Sequence, residues 1–167
     1  CLSVALFVSC SDSDSSDSNG NSADSYDRKL ILENVIDNII LPAFEDLSSK
    51  IELLEQSVSQ LKTTQNLANL EAVQANWIEA YKVWQHIEMF NIGKAEEVFY
   101  IQKMNTYPAT VSKIENNIST SDFDLESNNN WVAQGFPTLD YLLFGLADDT
   151  ASTLLFYQAS SNAAYLD

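Results

Sequence analysis

Two carboxylates stand where apolar side chains would be expected. Glu88 lies one helical step beyond Trp77, Tyr81 and Trp84, so it points toward the side that this aromatic stripe would bury. Asp140 sits inside GFPTLDYLLFG, residues 135–145, flanked by Phe136, Leu139, Leu143 and Phe144. A carboxylate on an apolar face must find a hydrogen-bond donor, find a cation or take up a proton. Each has a plainer reading. Glu88 would reach water if its helix ended at the rim of the fold. Asp140 follows Pro137 by three residues, in the first turn of the helix that Pro would open, where free amides and the helix dipole favour an acid. If the two helix ends approach, the pair could share a proton, hold a cation or accept bonds from a basic partner.

The other reactive side chains narrow the chemistry. His86 is the only histidine, and it shares a helix face with Glu79 and Lys82, a surface pattern. One imidazole cannot build a multi-histidine metal site. The two cysteines, Cys1 and Cys10, lie at the extreme N-terminus, so residues 26–167 carry no disulfide framework and no thiolate site. Glu52, Glu55, Glu96 and Glu97 fall on polar helix faces. Tyr81, Trp77 and Trp84 fit a core stripe better than a ligand platform. Asn117-Ile118-Ser119 matches a glycosylation sequon, which we read as chance.

Helices must position these residues. From Tyr26 to about Leu61, apolar residues recur at steps of three and four, and Pro42 should kink or break that stripe. Thr63 to Asn66 makes a short connection. A second helix runs from Leu67 past Ile87 and stops near Gly93, which suits a C-terminal cap. A third segment spans about Ala95 to Thr106 and ends at Tyr107-Pro108. Pro108 suits the first turn of a helix through Ile118. Residues 119–130 read as a polar loop. A helix then runs from Phe136 or Pro137 to Gly145, and Asp148-Asp149-Thr150 caps a last one. No alternating strand pattern, internal repeat or Gly-rich phosphate loop occurs. The fold class is all-α, with short connections that suggest an antiparallel helical bundle.

Composition sets the setting. The 167-residue chain carries 8 Lys plus Arg against 24 Asp plus Glu, a formal charge of −16. That argues against nucleic acid and against charge-driven docking on anionic lipid. The opening CLSVALFVSC looks like the end of a secretory signal. Residues 1–10 are thus a signal-peptide remnant, and Cys10 after Phe7-Val8-Ser9 resembles a bacterial lipobox, whose Cys is lipidated. The Ser- and Asp-rich residues 11–25 form a flexible acidic tether, and they resemble the export signal that follows such a Cys in many surface lipoproteins. Cys10 would then anchor the chain to the membrane, at the outer membrane, the cell surface or the periplasmic side of the envelope. SSNAAYLD stops in mid-pattern, so residues 26–167 are expected to be a helical domain cut short at its C-terminus.

WIEAYKVWQHIEMFNIG, a Tyr-Pro at 107–108 and GFPTLDYLLFG occur in an order and spacing that resemble the imelysin-like family of bacterial envelope proteins. The resemblance covers residues 26–167 and is closest to a branch of predicted lipoproteins. It implies an all-helical fold of two bundle-like halves, of which this chain is the first. The family's proposed metal motif, Gly-x-His-x-x-Glu, lands on Gly135, Pro137 and Asp140. Gly135 matches, Pro137 replaces the His and has no ligand atom, and Asp140 keeps a shorter carboxylate. Glu88 falls where the family keeps an acid. The resemblance therefore implies binding of a small ligand or protein partner at the cleft between the halves. Glu88, Asp140, Tyr81, Gly135 and Pro137 would lie on the first-half wall, with Glu88 and Asp140 as weak candidates for a divalent cation or iron. Some relatives are linked to iron uptake. The alternative is a metal-dependent peptidase whose ligands come from the other half.

Overall fold

The structure is a computed structural model that describes residues 27–159 and 165–166. The leader, Cys10 and the tether 11–25 lie outside the described residues. Among those described there is no strand, and the all-α expectation is met.

One long antiparallel pair carries the fold. Helix α1 spans Arg28–Val35, capped by Asp27, whose carboxylate accepts from the amides of Lys29 and Leu30. It passes through a π turn, Ile36–Ile40, into α2, Leu41–Thr63. The break expected at Pro42 takes this form. Pro42 cannot donate, and the turn before it widens so that the Leu41 amide reaches Ile36 O. After Thr64-Gln65-Asn66 the chain reverses into α3, Leu67–Ile87, whose Asn66 side chain caps the amide of Asn69. Cross-links fix the register: Asn69 Nδ2 donates to Gln60 O and Asn76 Nδ2 to Leu53 O. Pairs 69/60 and 76/53 step in opposite directions, the signature of antiparallel helices.

The facing stripes build the core. Leu54, Val58 and Leu61 of α2 meet Leu70, Val73 and Trp84 of α3, all buried. Burial of each such side chain is worth roughly 1.5–3 kcal/mol before entropy is counted. The apolar stripe continues into α1, yet α1 has no buried residue, and Leu30 and Leu32 are each 62% exposed.

Among the described residues, five shorter helices accompany the pair. They are α4 (Lys94–Glu97), α5 (Tyr100–Asn105), α6 (Val111–Thr120), α7 (Gly135–Asp140) and α8 (Thr150–Gln158), with a 3-10 segment at Asn128–Ala133. Three expectations need correction here. Gly93 does not cap α3: Glu88 holds that place, and Gly93, at φ +58°, turns the chain into α4. The third helix is two, because Phe99 adopts a left-handed conformation between them. Pro108 stays in the connection, where the Tyr107–Pro108 bond is cis, and α6 begins at Val111 instead. Periodicity could not see these breaks, since Phe99 is not a residue type that signals one.

The polar loop holds a buried network. Asn117 Nδ2 donates to Asn130 Oδ1 at 3.1 Å and to Tyr165 Oη at 2.9 Å. Tyr165 Oη in turn donates to Ala133 O at 2.8 Å. Asn117 is 4% exposed, so the sequon's acceptor nitrogen is closed off inside the fold, in agreement with its reading as chance. The last helix is capped as expected, by Asp149 accepting from the Ser152 amide.

Candidate functional site

The stretch 135–145 folds as α7 running directly into a second π turn, Tyr141–Gly145. It ends among groups that complete its backbone. The carbonyl of Leu142 accepts from Tyr157 Oη at 2.6 Å, and that of Leu143 from Gln74 Nε2 at 2.7 Å. These replace the bonds that a helix C-terminus lacks. Burial also pushes the Tyr157 hydroxyl well up from its ordinary pKa, so it remains a donor.

Gly135 opens the stretch at φ +73°, and it lies directly against the end of α5. A Cβ there would meet Lys103 O at 2.6 Å and would come closer still to Met104 O. The glycine is therefore demanded by packing. Docked in this way, α7 inserts Phe136 among the aromatics of α3, with ring centroids 5.1 Å from Tyr81, 5.8 Å from Trp84 and 6.3 Å from Trp77. Tyr81 stacks on Trp77 at 5.1 Å and 19°. Tyr81 and Gly135 are thus brought to one place through Phe136, and Pro137 follows it in the chain. Thr138 is buried beside them, and its hydroxyl has no hydrogen-bond partner among the described residues.

Glu88 caps the C-terminus of α3 and is half-buried. Asn105 Nδ2 donates to its carboxylate at 3.5 Å, a long contact. Asn105 follows the two residues that Gly135 abuts, so the end of α5 joins Glu88 to the 135–145 stretch. Sequence reasoning missed Asn105, whose Oδ1 is buried without a partner among the described residues, because an Asn at a helix end normally signals only a cap.

Asp140 departs from its expected place. Because α7 begins at Gly135, Asp140 is its last residue and is outside the first turn. The amide and dipole account of this acid is overturned. Its side chain is exposed, and among the described residues no hydrogen bond or ion pair joins it to Glu88. Neighbouring apolar groups still strip some water from it and raise its pKa. The sign follows. A raised folded-state pKa means the charged form is disfavoured by folding, so Asp140 lowers stability above that pKa, and the penalty fades as pH falls toward the ordinary value of 3.8. Asp140→Asn should then match or slightly exceed the parent in melting temperature at neutral pH, and the two should converge near pH 3. A helix-start acid predicts the reverse, a clear loss at neutral pH, and melts at both pH values separate the two.

Among the described residues, no group of three or more His, Cys, Asp and Glu side chains is placed to hold a metal ion. His86 is exposed, and Pro137 offers no ligand atom. The described residues therefore do not fit a three-ligand zinc site. Beside the stretch instead lies a groove of about 460 Å³, walled by Ile51, Val58, Met104, Phe136 and Leu139. Gly135 forms part of its floor, and Glu55, expected on a solvated face and indeed exposed, stands at its edge. No helix among the described residues is long and apolar enough to cross a membrane.

No solved structure matches the chain. Among curated proteins it is 23% identical over 121 residues to iron-regulated protein A of Synechococcus elongatus, a match covering 72% of this chain and 33% of that relative. The chain thus spans about a third of the relative's length. The imelysin family model, designated peptidase M75, matches residues 40–166, from the π turn before α2 to the buried Leu166. The aromatic run of α3, the α5 end and the 135–145 stretch all lie inside that match, and the chain belongs to the imelysin family.

Proposed function

We propose that this chain is an iron-linked imelysin-like protein of the cell envelope that binds a ligand or partner and does not itself hydrolyse peptides. One observation carries the reading: of the family's motif positions, Gly135 serves packing, and the seat it gives α7 forms part of the apolar groove. Gly135 seats α7 on α5, Phe136 and Leu139 wall the groove, and Pro137 supplies no ligand atom. The iron link rests on the relative's name. The chain is held at the envelope by lipid on Cys10, with residues 11–25 as tether. A net charge of −16 disfavours nucleic acid as the partner. The groove is one wall of a cleft that a following helical half completes.

Calorimetry of the full-length protein with ferrous, ferric, calcium and zinc ions and with haem tests this. Saturable binding of an iron form is expected. For haem, Leu139→Asp should weaken binding by at least about tenfold, since it places a charge on the apolar wall. Silence toward every probe sinks the iron reading.

The second reading is a metal-dependent peptidase. Asp140 favours it, since a carboxylate remains at the motif's acid position. Its other ligands would have to come from polypeptide beyond the matched third of the relative's length. Casein cleavage by the full-length protein that chelator abolishes would establish it, and inactivity indifferent to chelator would end it.

A further inference from the structure

A second cavity, of about 430 Å³, lies away from the groove, between α6, the π turn after α7 and α8. Its polar residues are Glu115, Ser119, Ser121 and Tyr141. Glu115 and Ser119 are one helical turn apart on α6, so both face it. Tyr141 Oη donates to Glu115 Oε1 at 3.0 Å, and among the described residues no hydrogen bond or ion pair reaches Oε2. Burial, then the neighbouring Glu115, raises the Tyr141 pKa, so the phenol stays a donor at neutral pH. The ring itself is seated by Gly145, where a Cβ would stand 2.8 Å from Tyr141 Cδ2. Phe156 supplies a second aromatic ring, with Ile118 and Leu146 as apolar walls. Among the described residues, no Lys or Arg lines the cavity.

We propose that this cavity binds an organic cation, an ammonium head on a short apolar stem. A carboxylate with one oxygen fixed by a phenol presents the other to a cation. An aromatic ring attracts such a charge when it lies over the ring face, and the aliphatic walls take the stem. An anion would meet Glu115 with no compensating base. The volume falls within the range of small-molecule sites, roughly 300–1,000 Å³. The ammonium could belong to a free amine or to a lysine side chain of a partner.

The full-length protein is titrated with n-butylammonium, with n-butanol, and with Nα-acetyl-lysine N-methylamide, followed by amide chemical shifts of residues 115–121 and 141–146. Saturable binding of butylammonium, roughly tenfold or more tighter than butanol and weakened by salt, is expected. The lysine derivative binding better than butylammonium points to a protein side chain, and equal or weaker binding points to a free amine. Glu115→Gln should weaken butylammonium about tenfold and Phe156→Leu several-fold. Glu52→Gln, an exposed acid on α2, should change nothing. Equal binding of butanol and butylammonium, or unchanged affinity in Glu115→Gln, overturns the proposal.

Discussion

Gly135→Ala should destabilise the protein by about 3–5 kcal/mol, enough to lower its melting temperature by roughly 10–20 °C or to prevent folding. Two costs add. At φ +73° an L side chain is strained, and the new Cβ has nowhere to go. The obstructing atoms are backbone carbonyls, Lys103 O at 2.6 Å and Met104 O closer still, so no rotamer change relieves the overlap. Either α7 lifts from α5 or α5 unwinds at its end. Both withdraw Phe136 from Trp77, Tyr81 and Trp84 and collapse the groove. Gly93→Ala is the control. It also has positive φ, +58°, but nothing lies within 4 Å of the added Cβ. Only the backbone cost of about 1–3 kcal/mol applies there. Thermal melts of the two variants check this, and equal losses would show that the approach of α7 to α5 is not what requires glycine.

Asn117→Ala is the second large effect, about 2–4 kcal/mol. The side chain is buried and uses Nδ2 twice, toward Asn130 and Tyr165. Its removal leaves Asn130 Oδ1 without that donor in a site that water does not reach freely, and opens a void beside Ile114 and Ala133, both fully buried. Asn130 also donates to Asp124 O at 2.7 Å, so the loop 121–127 should loosen with it. Tyr165→Phe removes the same network from the other side. Chemical denaturation of both singles and the double should show strong non-additivity, because one network is lost twice. Additive losses would mean that Asn117 and Tyr165 act separately.

Much of the helix pattern was legible because periodicity and punctuation are local. The α2–α3 hairpin follows from two apolar stripes and a short connection. Asp149 capping α8 and His86 on the surface follow from residue type and helical phase. The same local logic misled where a distant segment decided. Asp140 looked like a first-turn acid because Pro137 suggested the start of a helix. Gly135 begins α7 ahead of Pro137, since it can hold the positive φ that docks the chain on α5, and this moves Asp140 beyond the first turn, to where α7 passes into the π turn.

The sequence by itself determined an all-α chain, its strongly acidic character, its two long helices and its resemblance to the imelysin family. Tertiary structure decided which residues meet. It placed Gly135 on the carbonyls of Lys103 and Met104, Glu88 beside Asn105, and Asn117 inside with Asn130 and Tyr165. The physical reason is range. Helical phase and caps depend on residues within a turn or two. The contacts that give a glycine or an asparagine its role join segments 13 to 48 residues apart, and no local pattern encodes them.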